Sequence, residues 1–107
     1  MKLGKTRKTD RGFGRLEFTD LYGEECSMQQ SSLADKDAIW LGISKIKPII
    51  MVLDAIKLGL PILDGKNGWL EYKVPKEVLM SSRMHLGVKE VKALIKCLQT
   101  WVDTGTF

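Results

Sequence analysis

Histidine occurs once in this chain of 107 residues, cysteine twice and proline three times. The single His85 shares its face with no second histidine and no nearby carboxylate, which leaves no ligand set for zinc. Cys26 and Cys97 are too far apart for a metal knuckle, and two thiols make a weak disulfide framework. Both read as small buried hydrophobes, Cys26 among strand-like residues and Cys97 on the apolar side of a helix. Long apolar runs are missing as well. The longest, Pro48 to Leu53, falls far short of the roughly 20 residues that span a bilayer. No apolar segment follows the basic start, as a secretory signal would require. A cytoplasmic setting away from membranes is expected. Catalytic signatures are equally absent: there is no Gly-rich phosphate loop, no nucleophile elbow and no His-Glu-x-x-His. Ser27 or Ser32 could be paired with His85, but no third group is assignable to orient the pair. The expectation is a non-enzymatic protein without metal or cofactor.

The formal net charge of +4 is concentrated in one place. Lys2, Lys5, Arg7, Lys8 and Arg11 stand against Asp10 alone. The rest of the chain then holds twelve of the seventeen basic and twelve of the thirteen acidic residues, and these cancel. Residues 1–11 are therefore expected to form a basic disordered tail, and residues 12–107 a single domain. Such a tail can hold nucleic acid through salt-sensitive phosphate contacts, although the commoner use is solubility. A single small domain has little interior for a private pocket. A homo-oligomer with its site between subunits is expected.

Alternation places the strands. Leu16 and Phe18 face one side of residues 13–19, with Arg15, Glu17 and Thr19 opposite. Cys26 and Met28 alternate with Ser27, Gln29 and Ser31 across residues 25–31. With Gly23 in the intervening turn, the two runs form a β-hairpin. Residues 38–43 read as a third, more buried strand and 49–53 as a fourth, followed by a short helical segment over 54–59 closed by Gly59 and Pro61. Residues 64–68 form a turn, and 69–74 an edge strand ending at Pro75. Val88, Val91, Leu94, Ile95, Leu98, Trp101 and Val102 recur at helical spacing, with Gly87 and Glu90 as the N-terminal cap and Gly105 as the left-handed stop. The fold expected is α+β: a small, mostly antiparallel sheet of four to five strands covered by one long C-terminal helix.

Candidate site residues follow from the strand faces. Ser27, Gln29 and Ser31 form an uncharged row of donors and acceptors, and Ser32 continues it. Arg83 and His85 point the same way from an extended stretch, while Met84 and Leu86 pack inward. Arginine offers a planar fork suited to phosphate or carboxylate. Trp40 could stack on a flat ring, and Tyr22, exposed in the hairpin turn, could cap a pocket.

The ordered series Phe18-x-Asp20-x-Tyr22-Gly23-x-x-Cys26-Ser27-x-Gln29-x-Ser31-Ser32-Leu33-Ala34, Ile39-Trp40-Leu41-Gly42 and Arg83-Met84-His85-Leu86, followed by an amphipathic helix, resembles a family of small, mostly uncharacterised phage and prophage proteins. The resemblance covers residues 13–43 and 75–107, with 44–74 variable; relatives carry Thr where this chain has Gly87. It implies a phage context inside a host cell and brings no established activity. The expectation is a non-catalytic counter-defence protein binding a small polar or phosphorylated ligand, such as a nucleotide signal. Ser27, Gln29, Ser31, Ser32, Tyr22, Trp40, Arg83 and His85 would be the ligand-binding residues. The alternative is an inhibitor that blocks a host defence protein, and the third is nucleic-acid binding through the basic tail.

Overall fold

Asp20 organises the turn around which the fold is built. Its Oδ1 accepts hydrogen bonds from the backbone N–H groups of Tyr22 and Glu24, both at 2.9 Å. The neighbouring Gly23 takes φ +82°, a left-handed conformation that glycine adopts without steric cost. This turn joins β2 (Gly14–Thr19) to β3 (Glu25–Gln30) as the antiparallel hairpin expected from the alternation. The structure, a computed structural model, describes residues 3–61 and 68–107; the turn expected over 64–68 lies outside them except for Gly68.

Two compact units divide the chain: Met1–Lys45 with Ser82–Phe107, and Ile46–Ser81. In the first unit the hairpin is extended on one side by β4 (Ala38–Ile43) and β7 (Arg83–Gly87). On the other side it is extended by β1 (Arg7–Lys8), giving the antiparallel order β1-β2-β3-β4-β7. The second unit pairs β5 (Ile49–Met51) with β6 (Trp69–Glu71) beside the short helix α1 (Val52–Lys57), around the buried Ala55 and Leu70.

The basic start is part of the sheet rather than a disordered tail. Arg7 and Lys8 pair with Arg15 and Gly14, Leu3 bridges to Phe18, and the Gly4 N–H donates to the Glu17 carbonyl at 2.7 Å. Residues 1–11 suggested a tail because they are polar and basic and show no periodicity. The edge of β2 offers main-chain hydrogen bonds that do not depend on side-chain periodicity.

Register sorts the sheet into two faces. Leu16, Met28, Leu41 and Met84 lie opposite one another across four strands, as do Phe18, Cys26 and Ile43, and this is the apolar face. Arg15, Gln29, Trp40 and His85 form one row of the other face, and Glu17, Ser27, Gly42 and Arg83 the next. Arg7 joins the first row through its pairing with Arg15.

The chain ends in α2 (Val88–Thr104), entered directly from β7 with Gly87 as its cap and stopped by Gly105 at φ +79°. The Gly105 N–H donates to the Trp101 carbonyl at 2.7 Å. The fold is thus α+β, a mostly antiparallel sheet with one long C-terminal helix. No residue of α2 is buried, and only Val91, in its first turn, is even half-buried. Cys97, expected to be buried, is exposed, whereas Cys26 is buried and its thiol pKa is pushed up, chiefly by that burial. Strand passes to helix with no intervening loop, and of the helix stripe Val88 and Val91 share a cavity with Ile39 and Leu86 of the sheet. Among the described residues no helix is long and apolar enough to cross a membrane.

Candidate functional site

The polar face of the five-stranded sheet brings together residues far apart in sequence. Gln29, on β3, is its centre. Its Oε1 accepts hydrogen bonds from two guanidinium groups, that of Arg15 on β2 and that of Arg83 on β7, the latter at 3.4 Å. A neutral carbonyl oxygen thus holds two cations in place without neutralising either. Arg15 also reaches Glu17 at 3.3 Å, and Glu17 pairs with Arg7 from β1. Hydrogen bonding from Arg15 and the charge of Arg7 hold the Glu17 carboxyl below the usual carboxylate range. Among the described residues Arg83 has no carboxylate partner. Around Gln29 three guanidiniums therefore face one carboxylate, and this part of the face carries a positive surplus.

Beside this cluster the Trp40 and His85 rings stack, with centroids 3.9 Å apart and planes 9° from parallel. The Arg83 guanidinium lies 5.7 Å from the Trp40 ring centroid, within cation–π range. His85 Nε2 and Ser31 Oγ share a hydrogen bond of 2.9 Å. Register explains the arrangement: Trp40 stands opposite both Gln29 and His85, so one row carries an amide and two aromatic rings in succession.

The polar row of β3 and the Arg83–His85 pair thus meet on one face, through Gln29–Arg83 and Ser31–His85. Ser32 joins their margin, since with Gln29, Trp40, Phe13 and Arg11 it lines a cavity of about 320 Å³. Ser27 differs from its neighbours. It is 0 % exposed, and its hydroxyl has no hydrogen-bond partner. It sits between Glu17 and Gly42 in register, sealed from solvent, so it is a buried strut and not part of the open surface. Tyr22 is 89 % exposed in the turn beyond Thr19 and Glu25, at the end of the hairpin away from Gln29 and Trp40. The structure does not bring it to the cluster.

Arg7, Arg15 and Glu17 belong to this face and were not among the expected residues. Alternation alone put Arg15 and Glu17 on the polar side of β2, which is a clear signal of side. It carries none about which strand would neighbour β2, and that neighbour supplies Arg7.

Chemically, the face offers planar cationic donors, a stacked aromatic pair whose exposed member is His85, and hydroxyl groups at the margin. It suits a ligand with both an anion and a flat ring. Among the described residues no three or more His, Cys, Asp or Glu side chains gather as a metal site would require. Comparison with family models, with curated proteins and with solved structures finds no match for this chain.

Proposed function

We propose that this protein is a non-catalytic binder of a small phosphorylated ligand, a nucleotide in its concrete form, held on the polar face of the five-stranded sheet. The observation that carries this reading is the Gln29 carbonyl shared by Arg15 and Arg83. Both guanidiniums are oriented by a neutral acceptor; Arg83, with no carboxylate partner among the described residues, keeps its charge available for a phosphate oxygen, while Arg15 shares its charge with Glu17. The Trp40–His85 stack supports it, because a purine or pyrimidine ring can extend an existing stack. In this reading His85, rather than Tyr22, is the residue that meets the base. Together with the resemblance to small phage proteins, the reading makes the chain a counter-defence protein that sequesters a nucleotide signal in the cytoplasm of the host cell.

Calorimetric titration with cyclic dinucleotides, ADP-ribose and inorganic phosphate tests it. Heat is expected from a nucleotide and less from phosphate alone, and silence from all of them would remove the reading. Glu17 gives the titration a second arm. Its carboxylate competes with any bound anion for Arg7 and Arg15, so Glu17→Gln is expected to tighten anion binding severalfold. Because its pKa is depressed, Glu17 stays ionised as pH falls to the ordinary carboxylate range, and the competition is relieved only below it. Over pH 6–8 the gain from Glu17→Gln should therefore be constant, a point the same titration checks.

A further inference from the structure

The 17-residue helix α2 is a structure that the single chain does not account for. Helices in proteins owe most of their stability to packing of an apolar face, and the valine, isoleucine, threonine and tryptophan residues of α2 are weaker helix formers on their own than alanine or leucine. Yet beyond the half-buried Val91 α2 shows solvent its stripe, with Ile95 61 %, Leu98 54 %, Trp101 52 % and Val102 68 % exposed. β7 passes directly into α2, and of the stripe Val88 and Val91 share a cavity with Ile39 and Leu86 of the sheet.

Two further observations say what covers it. The first is spacing. Val88, Val91, Ile95, Leu98 and Val102 follow one another at intervals of three, four, three and four. That is the seam of a helix packed against another helix, with β-branched residues at Val88, Ile95 and Val102 as paired helices favour. Leu94 and Trp101 widen the seam on one side, while Lys89, Lys92, Lys96 and Asp103 stay off it. The second is area. The chain exposes 9357 Å². A compact body of 12.1 kDa would expose about 6,000 Å², and even two separate compact bodies of about 8 and 4 kDa, sized as the two units are, about 7,200 Å² together. The excess of about 2,000 Å² per chain, which the α2 stripe shares with the exposed Leu21, Leu53, Leu58 and Leu79, falls in the range that obligate homodimers bury per partner, about 1,000–2,500 Å².

We infer that α2 is the self-association element of this protein and that its apolar stripe is covered by α2 of a second copy. The inference is independent of the ligand reading, since the seam and the polar face share no residue.

Light scattering and sedimentation of the full chain test it. At micromolar concentration the mass is expected to be at least twice that of one chain. Ile95→Glu and the milder Leu98→Ser are expected to reduce it to one chain with sheet circular dichroism retained, whereas Lys96→Glu, off the seam, is expected to leave it unchanged. A wild-type protein that stays monomeric overturns the inference, whatever the variants do. So does an oligomer whose mass survives both seam substitutions. If Ile95→Glu fails to fold, Leu98→Ser and the wild-type mass decide the matter.

Discussion

Replacing Arg83 by alanine is expected to weaken binding of a phosphorylated ligand by about 10- to 100-fold, which corresponds to about 1.4–2.8 kcal/mol and to the loss of one or two charge-assisted hydrogen bonds. Arg83 is the guanidinium of the face with no carboxylate partner among the described residues, so its charge is the least compensated. It also links the two halves of the site, touching Gln29 on one side and lying over Trp40 on the other. Its loss should therefore reduce affinity for the anion and weaken stacking at the ring. Arg83→Lys keeps the charge but loses the planar fork, and an intermediate affinity is expected. Calorimetry with the same nucleotide measures all three proteins. The backbone pairing of β4 with β7 does not depend on this side chain, so melting temperatures should stay close to one another. An Arg83→Ala protein that binds as tightly as the parent would remove Arg83 from the site.

Gly42→Ala is expected to be the most destabilising single substitution in the sheet. Gly42 holds φ +153°, and a Cβ built there would lie 2.5 Å from the Ser82 carbonyl oxygen and 2.9 Å from the Arg83 Cα. Both are backbone atoms, one in the first residue of β7 and one in the residue just before it, so a side-chain rotation cannot relieve the clash. Either β7 moves away or the pairing of Gly42 with Arg83 is lost. Backbone strain of this kind costs about 1–3 kcal/mol, and the broken contact brings the total to about 3 kcal/mol or more. For a domain of this size that lowers the melting temperature by more than about 10 °C. Gly23→Ala is the control: φ is +82°, but nothing lies within 4 Å of its Cβ position. Only the left-handed penalty of about 1 kcal/mol is then expected. Thermal denaturation of the two variants separates close approach from backbone conformation. Because Gly42 adjoins Arg83, any Gly42→Ala protein that folds should also have lost affinity at the polar face.

The sequence carried the side on which each residue stands more clearly than the neighbours it meets. Alternation identified the polar row of β3 and the outward pair of Arg83 and His85, because a period of two is local and is enforced by the half-buried Leu16, Met28 and Leu41 on the other face. Strand order is non-local, and the meeting of Gln29 with Arg83 depends on β4 lying between β3 and β7. Arg7 was hidden for a different reason: charge clustering looks the same whether a segment is free or holds an edge strand by its main chain. Ser27 and Gln29 are indistinguishable by alternation, yet one is sealed and the other bridges two arginines, and only packing separates them. The helix was legible to its last residue, with Gly105 as its stop, because its signals lie within one turn of each end. Where its stripe would be buried was not, since periodicity reports a face and says nothing of the surface that covers it.

The central claim is that the polar face is the ligand surface. Titrating isotope-labelled protein with a cyclic dinucleotide and with ADP-ribose, and following backbone amide, arginine Nε and indole signals by NMR, tests it most directly. Shifts are expected to cluster at Arg15, Gln29, Trp40, Arg83 and His85, and to leave Leu16, Met28 and Leu41 unmoved. Shifts confined to the apolar face, or no shift with either nucleotide at saturating concentration, would contradict it.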